Sequence, residues 1–308
     1  MIGRGCRLAW SRLRDSGLIG EIFQNGAEID FESFKEWLSK THCDSTVKAI
    51  MRYAQRYWHV LFNPNEASKI AVMPKDMRRN VMASLANLSR FLGMYEQWKA
   101  IVKTYGLKWE KRNGLEVLLS ILNTNIEEVR EWLKEAIVRL PKKYAVALIF
   151  NALTGLRPRE GINACNLIVE LSEQNRLNEY LDKDLMMLQH FRFPKIFLRK
   201  SKNAYISFIT PELLNLVLKY KPRIKYKGLH SALRKLKMKN KTKQLRKLFA
   251  TTLRERLPQE SIDLLQGRIG QNIFVRFYYK PTLAKLREQT LKGIEPLQKE
   301  LIELFNKK

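Results

Sequence analysis

Five short motifs in the second half of the chain carry side chains suited to phosphate chemistry. Residues 154–160 read Thr-Gly-Leu-Arg-Pro-Arg-Glu, a tight turn that presents Arg157 between two expected helices. Lys200 precedes, and Lys202 lies within, the turn-prone stretch Ser201-Lys202-Asn203. Residues 243–247 read Lys-Gln-Leu-Arg-Lys, and Lys243 and Arg246, three apart on an expected helix, share a face. Gln266-Gly267-Arg268 follows, and then Phe277-Tyr278-Tyr279-Lys280-Pro281. Guanidinium forks match the oxygens of a phosphate, and a phenol can act as a covalent nucleophile. Together the set offers the residue types needed to react with a phosphodiester as well as to bind one.

Apolar periodicity indicates what must position these groups. Helical spacing recurs in Phe31, Phe34, Trp37 and Leu38 and again in Ile50, Tyr53, Tyr57 and Leu61, with Asp44 or Ser45 as the expected cap. Another helix follows Pro74 through Met82, Leu85, Leu88 and Phe91, its bases interleaved with aromatics expected to lie mostly in the core. A polar, basic linker is expected near residues 107–114. Beyond it, helices are predicted over 126–137 and 141–154, stopped by Gly155 and restarted at Pro158. Period-two alternation in Ile196 and Leu198, then in the run Tyr205, Ser207, Phe208 and Ile209, predicts a β-hairpin with its tip at residues 201–203. The tail from Leu283 to Phe305 carries an apolar helical stripe, expected to pack on its own domain or on a neighbouring subunit. The fold class expected is mainly α with a small antiparallel β-sheet.

Charge narrows the partner. Fifty-seven Lys and Arg against 30 Asp and Glu leave +27, a self-repulsion that a polyanionic partner relieves. Residues 219–247 hold 13 Lys or Arg and no acid, a candidate phosphate track. Three scattered cysteines argue against a disulfide framework and fit a reducing cytoplasm. The four histidines show no metal-ligand spacing, no Gly-rich phosphate loop is present, and neither metal nor cofactor is expected. No apolar run reaches the length of a membrane span. A cytoplasmic protein is expected.

The ordered motifs over residues 154–281 resemble the catalytic domain of the tyrosine recombinases, the phage-type integrases and their relatives. They look most like the integrases of archaeal fuselloviruses and related plasmids. The resemblance implies that Arg157 and Arg246 grip the scissile phosphate and stabilise its transition state. It implies a lysine as general acid, Lys202 first and Lys200 as the alternate. Tyr278 would attack phosphorus, with Tyr279 as the competing nucleophile, to give a 3′-phosphotyrosyl link without ATP or metal. Two departures are notable. Lys243 stands where most members have His, and Gln266-Gly267-Arg268 where most have Leu-Gly-His, so Lys243 and Arg268 are expected to act mainly as phosphate ligands.

The domain organisation implied is an extension over 1–28, a helical DNA-clamping domain over 29–110, and an α+β catalytic domain over 115–308, their positive surfaces facing each other around duplex DNA. The function implied is site-specific integration or excision of a viral or plasmid element. The partners implied are a double-stranded DNA attachment site and further copies of the chain, assembling as a tetramer on paired sites. Two alternatives use the same residues differently: a type IB topoisomerase-like enzyme, and a non-catalytic basic DNA-binding protein in which Tyr278 is core.

Overall fold

The computed structural model describes residues 29–109, 113–123, 125–199, 202–269 and 280–308. Contacts divide the chain into two units, 1–119 and 120–308. The described residues are mainly helical, with one three-stranded antiparallel sheet.

In the first unit, α1 (Phe31–Ser39) starts at Asp30, whose carboxylate accepts from the Ser33 amide at 2.9 Å. Helix α2 (Asp44–Tyr57) begins one residue earlier than its acidic and hydroxyl residues suggest. Cys43 is the cap, and Asp44 sits inside the first turn, where its charge faces the helix dipole. Helices α3 (Ala67–Ala71), α4 (Lys75–Phe91) and α5 (Tyr95–Thr104) complete a core of Phe34, Leu38, Ile50, Ala54, Leu85 and Trp98 among others. The bases interleaved with aromatics turn outward: Lys48, Arg52 and Arg56, four apart on α2, are all exposed. Arg52 lies 4.7 Å over the Tyr53 ring and Arg56 5.4 Å over Tyr57, which restrains their guanidiniums. Helix α6 (Gly114–Leu122) spans the division between the units.

The second unit is built around α8 (Lys142–Thr154), which follows α7 (Ile126–Arg139) and buries every residue from Ala145 to Thr154. A helix apolar on all sides belongs at the centre of a core, and α8 packs against α7, α9 (Pro158–Glu173), α11 (Pro211–Tyr220), α13 (Leu245–Arg254) and α15 (Leu283–Asn306). Gly155 ends α8 at φ 62°, and Pro158 opens α9. Helices α12 (Tyr226–Lys235) and α14 (Gln259–Leu265) flank α13 in sequence.

The sheet corrects the expected hairpin. Strands β1 (Leu181–Asp182) and β2 (Met187–Gln189) form one turn of chain, and β3 (Ile206–Phe208) pairs with β2 in the register Met187↔Phe208. Residues 196–198 form no strand: Pro194–Phe197 is a single helical turn, α10, started by Pro194 and anchored by fully buried Phe197. Over so short a run, alternation cannot separate one helical turn from a strand.

Helix α15 buries Leu286, Ile294, Leu297, Leu301 and Phe305 within its own unit, each worth roughly 1.5–3 kcal/mol. Its Glu300 is paired with Arg130 and Lys134 of α7, both at 2.6 Å.

A closed polar group stiffens the sheet. Tyr180 Oη lies 2.6 Å from His190 Nδ1, and His190 Nε2 lies 2.8 Å from Ser207 Oγ. The neutral ring has one N–H, so it donates to one hydroxyl and accepts from the other. Burial pushes the His190 imidazole down to about 3. Because the folded value lies below the unfolded 6.5, the neutral ring's stabilisation is complete above pH 6.5 and is lost as pH falls toward 3. Between pH 6.5 and 5 the wild type is expected to lose about 2 kcal/mol through this residue, at about 1.4 kcal/mol per pH unit. Urea titrations of wild type and His190→Gln check this; equal pH slopes would refute it.

Candidate active site

Arg157 is placed by two local breaks. Gly155 turns the chain out of α8, Leu156 is buried, and Arg157 becomes the cap of α9 with its side chain a quarter exposed. Its Nη1 donates to Glu160 Oε1 at 2.9 Å and to the Asn203 carbonyl at 3.1 Å. Its amide donates to Glu160 Oε2 at 3.2 Å, so one carboxylate, only 1% exposed, fixes both ends of the residue.

Arg246, in the first turn of α13, reaches two of the other motifs. Its Nη1 donates to the Gly155 carbonyl at 3.1 Å and its Nη2 to the Gln266 carbonyl. Gln266 is buried and donates back from Nε2 to the Arg246 carbonyl at 2.8 Å. Burial, and then the charges of Arg157 and Arg268, push the Arg246 guanidinium down to about 10, against an opposing pull from Glu160 and Asp263. It therefore stays charged at neutral pH, in a field short of anions. Arg268 is exposed, 3.4 Å from Asp263.

Gly267 sits at φ 65°, and a Cβ there would lie 1.9 Å from the Asn203 carbonyl oxygen. The backbone thus brings the Gln266–Arg268 turn against the loop that carries Lys202. Gly267→Ala is expected to push that loop off Arg157 and lower thermal stability by roughly 1–3 kcal/mol. Calorimetry checks this; an unchanged melting temperature would show that the close approach is not required.

Of the residues singled out from sequence, Arg157, Arg246 and Arg268 are brought together. Lys202 itself makes no hydrogen bond or ion pair with them among the described residues; the carbonyl of its neighbour Asn203 accepts from Arg157. Lys202 and Lys243 are both exposed and have no partner among the described residues. Lys243 lies in the 3₁₀ turn Thr242–Gln244 that leads into α13, so it does not share a regular α-helical face with Arg246 as expected. Lys200, Tyr278 and Tyr279 lie outside the described residues.

Sequence reasoning gave no role to Glu160, Arg199, Asn203 or Gln266. Glu160 carries a readable signal, an acid three residues into a helix start. The others act through backbone and through contacts distant in sequence. Among the described residues, no group of three or more His, Cys, Asp or Glu could hold a metal ion, and no helix is long and apolar enough to cross a membrane.

Chemically, the arrangement is a cluster of cationic side chains. Four guanidiniums, those of Arg157, Arg199, Arg246 and Arg268, lie about the carboxylates of Glu160 and Asp263, leaving a net positive charge. No protein-family model, curated protein or solved structure matches the chain.

Proposed function

We propose that this chain is a site-specific DNA strand transferase of the tyrosine recombinase type. The observation that carries the reading is the seating of Arg246 between the Gly155 and Gln266 carbonyls, in the field of Arg157 and Arg268. Motifs more than a hundred residues apart in sequence thereby share one cationic cluster. A bland DNA-coating surface has no need to crowd guanidiniums at a cost in stability.

In this reading, Arg157 and Arg246 hold the non-bridging oxygens of the scissile phosphate, supported by Arg268 and Lys243. The Tyr278 oxygen bonds to phosphorus as its proton leaves to water, and the bond from phosphorus to the 5′ oxygen breaks. Lys202, or Lys200 beside it, supplies the proton that oxygen takes. The 5′ hydroxyl of a partner duplex later attacks the phosphotyrosyl bond and releases the phenol, so phosphoester energy is conserved. Residues 29–110 serve as the DNA clamp, the cations of 219–247 track the backbone, and copies assemble as a tetramer on paired attachment sites of a viral or plasmid element.

Covalent trapping tests the proposal. A nicked duplex bearing a candidate attachment site is expected to give a denaturant-resistant adduct on a tyrosine of residues 277–281. Relaxation of random-sequence supercoiled DNA would favour a topoisomerase instead. Binding without adduct on any duplex would leave a DNA-coating protein.

A further inference from the structure

We propose that Arg199 is a positioning residue of the phosphate site, acting through the Glu160 carboxylate on Arg157. The inference rests on the reading above that this site takes a phosphodiester.

Glu160 is nearly inaccessible to solvent, and a buried carboxylate requires cationic partners. It has two, on the same oxygen: Arg157 Nη1 at 2.9 Å and Arg199 Nη2 at 2.8 Å from Oε1. With Arg157 as sole partner, the pair would be neutral and its guanidinium would have little charge left for a phosphate. Arg199 supplies the second positive charge. Arg157, Arg246 and Arg268 against Glu160 and Asp263 leave one net positive charge, and Arg199 makes it two.

Arg199 also ties the loop to the site. Its amide donates to Asn203 Oδ1 at 2.7 Å, and the Asn203 carbonyl accepts from Arg157. Residues 199 and 203 are thus tied to each other, with Glu160 bonded to the first and Arg157 to the second. The Arg199 side chain is about half exposed, so shortening it opens no core.

Two measurements on the full chain test this. In single-turnover cleavage of a nicked duplex, Arg199→Met is expected to be slower by about 10- to 100-fold at saturating DNA, with DNA affinity little changed. Arg199→Lys should recover part of the rate. In the Glu160→Gln background, Arg199→Met should have almost no further effect, because the carboxylate through which it acts no longer carries charge. Independently of catalysis, inorganic phosphate should raise the melting temperature of wild type more than that of Arg199→Met. Arg246→Met defines how much of that rise belongs to this site. Equal rates and equal phosphate response in wild type and Arg199→Met would overturn the inference, as would an Arg199→Met effect undiminished in the Glu160→Gln background. If wild type forms no adduct but the phosphate response still falls in Arg199→Met, the recombinase reading fails and the positioning role stands.

Discussion

Tyr278→Phe is expected to bind duplex DNA like wild type and to lose covalent adduct by about 10³-fold or more. The change removes one oxygen, the atom that would bond to phosphorus, and leaves the ring. Overall affinity comes from many cations tracking the backbone, so one phenol contributes little to it. Tyr279→Phe is the matched control: a single phosphate takes one nucleophile, and the motif offers two phenols. Adduct yield on a nicked duplex, resolved under denaturing conditions beside a binding assay, reads both variants. Adduct retained by Tyr278→Phe and lost by Tyr279→Phe would move the nucleophile by one residue. Adduct unaffected by either change would end the recombinase reading.

Arg246→Met is expected to reduce cleavage by about 10²- to 10³-fold, the usual loss when a preorganised donor to a developing charge is removed. Its effect on stability should be much smaller. The guanidinium donates to the Gly155 and Gln266 carbonyls, charged hydrogen bonds worth roughly 1.5–3 kcal/mol each. Against them stand its desolvation and the repulsion from Arg157 and Arg268 that lower its pKa. These opposing contributions should leave unfolding free energy within about 2 kcal/mol of wild type. Single-turnover rate and chemical denaturation, measured together, separate the two effects. A variant that cleaves normally would exclude Arg246 from the phosphate site. One that unfolds outright would mean that Arg246 serves the fold first.

How much was legible from sequence differs by residue. The turn at Arg157 was readable because Gly155 and Pro158 punctuate helices in a way that depends only on their own backbones. The long apolar stripe of α15 was readable for a similar reason, since over twenty residues the helical period is unambiguous. The hairpin was misplaced because β3 finds its partner upstream in β2, a choice made by pairing between segments.

Sequence alone determined the mainly helical character, the strong positive charge and the order of the candidate motifs, since each depends on composition or on spacing over a turn or two. Tertiary structure decided which cations meet. Glu160 with Arg199, Arg246 between two carbonyls, and Gly267 against Asn203 are contacts across 20 to 91 residues of chain. Such contacts follow from how α8 gathers its neighbours around one core, and no local pattern encodes that packing.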